Sequence, residues 1–171
     1  MLAGPLPETV DYRRLAMMER EIEGRVAVSR MSRLVDMLAT PEGEFSVKLR
    51  FGTRKGKRML VMGRVEGEVQ VTCQRCLAPM PLTLDVAVRS YLVPDDDALA
   101  ELDPEDDGLV VEPGDIRTVA LIEDDLMVSL PMAPLHESPC GEDWSAPEPV
   151  AAEPETHRPF AGLADLMNKT D

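Results

Sequence analysis

The stretch EFSVKLRF, residues 44–51, sets the fold class. Phe45, Val47, Leu49 and Phe51 alternate with Glu44, Ser46, Lys48 and Arg50. A period of two puts all four apolar side chains on one face of a strand and the polar ones on the other. GTRKGKR follows at 52–58, with two glycines and four basic residues, and reads as an exposed hairpin turn. A long returning strand is expected from Met59 to about Thr72, with Gly63 and Gly67 marking bulges or bends. Cys73–Pro81 then forms a tight connection, and alternation resumes from Leu82 to Val93. Together these predict an α+β fold built on a meandering antiparallel β-sheet, open or curled toward a barrel, flanked by helices.

The flanks carry helical spacing. DYRRLAMMERE, residues 11–21, reads as a short helix with Leu15, Met18 and Ile22 on its apolar edge and Gly24 as its stop. Arg25–Val28 reads as a short strand. Ser29 is a candidate N-cap for a helix over Arg30–Ala39, where Met31, Leu34, Val35 and Leu38 share a face, ended by Thr40, Pro41 and Gly43. Residues 94–108 contain six Asp and two Glu and read as a flexible acidic loop. LVVE, residues 109–112, adds a short strand. Asp115 caps the strongest predicted helix, IRTVALIEDDLMVSL, with Val119, Ile122, Leu126 and Leu130 on one face and Pro131 as its end.

The expected organisation is one domain over residues 1–143, an acidic Pro- and Ala-rich linker at 144–158 and a short amphipathic segment at 159–169. In that last segment Phe160, Leu163, Ala164 and Met167 fall at helical spacing. The acidic tail is expected to be partly disordered. No internal repeat is visible.

Composition narrows the function classes. The chain has 171 residues, six aromatic residues and eleven Met, so aliphatics and Met supply most of the core. The net charge of −14 is unevenly spread. Residues 1–90 carry 15 Lys/Arg and 11 Asp/Glu, whereas residues 91–171 carry 3 and 21. Phosphate backbones repel such a surface as a whole, and its acidic half suits a basic protein partner. No secretory signal or spanning segment is read, so the expected compartment is the cytoplasm, without a membrane partner. An odd count of three cysteines agrees with a reducing environment. No phosphate-cradling Gly-rich loop, Ser/His/Asp set or dinucleotide fingerprint is present. Glu123, Asp124 and Asp125 read as a solvated helix face rather than as acid/base groups. No small-molecule substrate is indicated.

Two of the cysteines stand in VTCQRCLAPM, residues 71–80. A redox C-x-x-C wants its first sulfur at a helix N-terminus. Pro79 and Pro81 exclude a regular helix after Cys76, and no βαβ pattern surrounds the motif. The metal reading completes the set elsewhere: HESPC supplies His136 and Cys140. Cys73, Cys76, His136 and Cys140 make a Cys3His set for a tetrahedral structural zinc. Four protein ligands leave no open position for water activation. The plainer alternative is a group of reduced structural cysteines. Arg54, Lys55, Lys57 and Arg58 form the one dense basic cluster, an RNA contact or a solvated turn. Arg75 is a candidate contact for RNA phosphate or a partner carboxylate, or pairs locally with Glu123 or Asp125.

With VTCQRCLAPM, ALIEDDLMVSLPMAPLHESPC, RPFAGLADL, SRMSRL and PEGEFSVKLRF together, the chain resembles the YceD family of large ribosomal RNA subunit accumulation proteins. The resemblance implies a small cytoplasmic, non-enzymatic bacterial protein supporting 23S ribosomal RNA accumulation and large-subunit biogenesis. Its implied partners are ribosomal RNA or ribosome-assembly and RNA-processing proteins. The positions it carries over are Cys73, Arg75, Cys76, His136 and Cys140. Many relatives have a cysteine-rich second half, where this sequence has His136 and only Cys140. Alternatives are a direct RNA-binding module using the basic hairpin 50–58 and a thiol or zinc redox protein.

Overall fold

A computed structural model describes residues 4–54 and 58–141. The described residues all belong to one compact unit, Met1–Gly141. The linker and amphipathic segment expected at 144–158 and 159–169 lie outside the described residues.

The four apolar residues of EFSVKLRF are fully buried, as the alternation requires. They lie in β3 (Glu44–Arg54), which pairs antiparallel with β2 (Glu21–Ala27) and β4 (Arg58–Thr72). β5 (Pro79–Val93) pairs with β4 over an uninterrupted ladder from Met59↔Leu92 to Thr72↔Pro79. β6 (Gly108–Val110) completes the order β2-β3-β4-β5-β6. The fold is α+β, and the sheet stays open rather than closing into a barrel. One departure from the expected meander is direction: β6 runs parallel to β5, pairing Tyr91–Val93 with Gly108–Val110. Past those three pairs, the remainder of that edge of β5 has no strand neighbour among the described residues. A separate two-stranded ribbon joins β1 (Thr9–Val10) to β7 (Ile116–Arg117).

Gly63 and Gly67 do not mark bulges. Both ladders run through them in unbroken register, Gly63 opposite Leu49 and Gly67 opposite Phe45. They lie on the core face, where the larger side chains of β3 need the space. A Cβ at Gly63 would stand 2.0 Å from the Lys48 carbonyl oxygen and 2.8 Å from Leu49 Cδ2. Gly63→Ala is therefore expected to destabilise the protein by about 1–3 kcal/mol, the usual range for overpacking. The measurement is urea unfolding, with a lower midpoint at unchanged slope.

Helices α1 (Tyr12–Met17), α2 (Ser32–Val35) and α4 (Glu123–Ser129) accompany the sheet. Their apolar residues Tyr12, Ala16, Leu34 and Leu126, with Ile122 just before α4, join Phe45, Val47, Leu49 and Val65 in one core. The expected helices are all shorter than their spacing suggested. α1 is capped by Asp11, whose side chain accepts from Arg14 N at 2.9 Å. It ends early because Glu19 turns the backbone to φ +47°, and β2 begins at Glu21. Ser29 caps nothing: it lies in a 3-10 turn over Val28–Arg30, and only Ser32–Val35 is α-helical. The long helix expected from Ile116 is three pieces, β7, a 3-10 turn at Thr118–Leu121 and α4. Pairing with β1 straightens its beginning, and Thr118 N donates to Glu8 O at 3.0 Å.

The acidic stretch 94–108 is not an open loop throughout. Asp95 caps α3 (Asp96–Ala100), accepting from Ala98 N at 2.8 Å. Leu99 and Leu102 pack on Leu60, Tyr91 and Val93, a second small cluster on the sheet face opposite the main core. The rest of that outer face is charged. Lys48–Glu21 and Arg64–Asp85 join neighbouring strands there, and such exposed pairs contribute about 0–1 kcal/mol each. Among the described residues no helix is long and apolar enough to cross a membrane.

Candidate metal centre

Cys73 is the first residue past β4, and the chain must reverse within six residues to start β5 at Pro79. Leu77 takes φ +61°, and its N–H donates to Cys73 O at 2.9 Å. Cys73 N donates to Ala78 O at 3.0 Å, so both cysteines of C-x-x-C are held in one tight turn. The second half arrives after α4, where Leu130 and Pro131 end the helix. Gln74 N donates to Pro134 O at 2.8 Å and fastens this returning segment to the cysteine turn.

The four predicted ligands come together. Cys73 Sγ lies 3.6 Å from Cys140 Sγ, and Cys76 Sγ lies 3.4 Å from His136 Nδ1. One ligand atom from each residue lies within 4.8 Å of all the others. Tetrahedral bonds to zinc of about 2.3 Å from sulfur and 2.0–2.1 Å from nitrogen imply ligand separations of roughly 3.5–3.8 Å. The two close pairs fit that spacing. Cys73 is buried, while Cys76, His136 and Cys140 are partly exposed. This is the one such cluster of His, Cys, Asp or Glu found among the described residues.

The electrostatics favour a cation. Burial pushes the Cys73 thiol up, but the backbone N–H groups of Cys76, Arg75 and His136, with the Cys140 thiol, hydrogen-bond its thiolate and bring it down to about 5. Cys140 is pushed up to about 11 by burial and by the sulfurs of Cys76 and Cys73, with the Arg75 guanidinium acting in the opposite sense. Negative charge thus settles first on the most deeply held sulfur. A divalent cation held there would supply the charge that lets the others ionise. With a metal held by all four side chains, every tetrahedral position would be taken by the protein, an arrangement that suits crosslinking rather than water activation.

The other candidates fare differently. Arg75 does not pair with Glu123 or Asp125. Its guanidinium donates to Ser138 O and His136 O, both at 3.4 Å, and so braces the second ligand loop. Arg54 and Arg58 face each other across the ends of β3 and β4. Arg58 donates to Glu101 O at 3.2 Å and lies 3.6 Å from the Glu101 carboxylate. Lys55 and Lys57 lie outside the described residues.

Sequence reasoning missed Glu123, which it placed on a solvated face. Glu123 is buried, and its Oε1 accepts from Arg33 N at 2.9 Å and Leu34 N at 3.2 Å. Its Oε2 accepts from the Arg33 guanidinium at 3.2 Å. The carboxylate thus caps α2, which has no side-chain cap of its own. The signal was present: Glu123 stands four residues after Val119 and three before Leu126, on the apolar side of the helix.

The family model of the large ribosomal RNA subunit accumulation protein YceD matches residues 61–167. Over 177 aligned residues the chain is 30% identical to the large ribosomal RNA subunit accumulation protein YceD of Haemophilus influenzae, covering 96% of this chain and 97% of that protein. No solved structure matches. The cysteine turn and the segment that brings His136 and Cys140 to it both fall inside the matched region, and the chain belongs to the YceD family.

Proposed function

We propose that this protein is a non-enzymatic cytoplasmic factor that supports accumulation of 23S ribosomal RNA and assembly of the large ribosomal subunit. It acts by binding a basic ribosomal or RNA-processing protein. The observation that carries the reading is a likeness to a named accumulation protein along nearly the whole of both chains. The charge distribution supports a protein partner, since 21 of the 32 acidic residues fall in residues 91–171. Cys73, Cys76, His136 and Cys140 would hold a structural zinc, which supplies a crosslink between the β4–β5 turn and the segment after α4. Direct RNA binding through the basic hairpin has less support. The acidic segment after β5 already engages Arg58 through Glu101 and Arg89 through Asp106.

Deletion of the gene, with complementation by the intact chain, tests the assigned process. The expected result is a lower ratio of 23S to 16S ribosomal RNA in the deletion strain, with large-subunit precursors accumulating, and restoration on complementation. An unchanged ratio, with normal subunit profiles, would reject the assignment.

A further inference from the structure

A cleft of about 480 Å³ opens beside the cysteine turn, between the residues that follow α2 and the end of α4. Met37, Val71, Met127, Val128, Leu130 and Met132 supply its apolar lining. Three of these project into solvent: Met37 is 49% exposed, Val128 86% and Met132 fully. Isolated apolar side chains on a surface are ordinary, but several converging on one concave site mark an interaction surface. Two or more methionines give such a surface the adaptability to pack against varied side chains.

Charge identifies the occupant. The cleft lining itself carries no charge, and around it the acids Asp36, Glu123, Asp124, Asp125 and Glu137 outnumber the bases Arg33 and Arg75. Asp36 immediately precedes Met37, and Val128 also lines an adjoining recess with Asp107, Asp124 and Asp125, of which Asp124 pairs with Arg33 at 2.6 Å. Glu137 lies on the segment that continues past Pro134. An apolar floor with an acidic border complements a segment with apolar anchors on one side and Lys or Arg on the other.

We propose that this cleft binds a basic amphipathic helical segment of a protein partner. The proposal rests on the partner-binding reading above and gives it a location. The far wall, Pro131 to Pro134, is held in place by the Gln74–Pro134 hydrogen bond. The site is therefore formed in the free protein and requires no rearrangement of the sheet.

The test uses the full chain and a synthetic helical peptide with leucines at i, i+3, i+4 and i+7 and lysines between them, followed by fluorescence anisotropy. The wild type is expected to bind it saturably. A Val128→Gln/Met132→Gln double variant, whose altered side chains are exposed and leave the fold intact by circular dichroism, is expected to bind at least about tenfold more weakly. A peptide with glutamate in place of lysine is expected not to bind. Equal affinity of wild type and double variant overturns the proposal, as does equal binding of the lysine and glutamate peptides. A concentration-dependent dimer in light scattering that the double variant abolishes would assign the cleft to a second copy and also overturn it. A cleft that fails these tests in a strain that still shows the ribosomal RNA defect removes the location alone. A cleft that passes them while the deletion strain is normal removes the assigned process alone.

Discussion

Cys73→Ser is expected to abolish zinc binding, from about one ion per chain in protein prepared with zinc to essentially none. Cys73 is the most buried of the four ligands and the one whose thiolate receives the backbone N–H groups of Cys76, Arg75 and His136. A hydroxyl in its place offers neither charge nor a soft donor. Structural zinc sites of this type bind with apparent free energies of about 10–16 kcal/mol, so loss of one ligand moves a metal-competition midpoint by orders of magnitude. Metal removal by a chelator is expected to leave the sheet folded, since the main core contains none of the ligands. It should instead expose residues 131–141 to proteolysis, because among the described residues the ligand pairs, the Arg75 hydrogen bonds and the Gln74–Pro134 bond tie that segment to the turn. Metal content is measured by plasma emission spectrometry and cleavage by mass spectrometry. If the wild type takes up no zinc and the segment is cut equally with and without chelator, the cluster is a group of reduced structural cysteines.

Glu123→Ala is expected to cost about 2–4 kcal/mol of stability. The carboxylate serves two backbone N–H groups at the start of α2 and the guanidinium of Arg33. Loss of a helix cap typically costs about 0.5–2 kcal/mol, and leaving a buried donor such as Leu34 N without a partner adds about 1–3. The Arg33 contribution is smaller, because that side chain is half exposed and keeps Asp124 as a partner at 2.6 Å. Glu123→Gln keeps one acceptor oxygen and is expected to lose about half as much. Arg33→Ala separates the effects, since it removes the ion pair and leaves both backbone donors satisfied. Urea unfolding of the three variants measures the order Ala, then Gln, then the Arg33 change. Equal stability of Glu123→Ala and wild type would remove the capping role.

The central meander was legible because period two is unambiguous when it lasts: Phe45, Val47, Leu49 and Phe51 leave no helical alternative. The convergence of the Cys3His cluster was legible by scarcity, since three cysteines and two histidines allow few combinations. Element type was harder to read around the core. Met31 and Leu34, and Val119, Ile122 and Leu126, are buried as expected, yet spacings of three serve a 3-10 turn as well as an α-helix. The interruption at residues 116–121 comes from a strand partner more than a hundred residues upstream, which local spacing does not encode. Composition hid α3, because the acids around Leu99 and Leu102 outweighed a pair of leucines three apart. The parallel direction of β6 was not written in LVV, since burial of a short strand is the same in either direction.

The edge of β5 that has no strand neighbour among the described residues has a consequence for life at high concentration. An unpaired strand rim is a template on which another molecule can extend the sheet, the first step toward fibrils. Here the rim contains Pro79 and Pro81 within the continuous ladder to β4. Proline is tolerated in such a ladder where its missing N–H faces away from the partner strand, so the bare side lacks two donors at that end. Asp85 and Arg89, both exposed, set charges along the remainder. The same prolines that keep the cysteine turn from becoming a helix thus also guard the sheet against polymerisation.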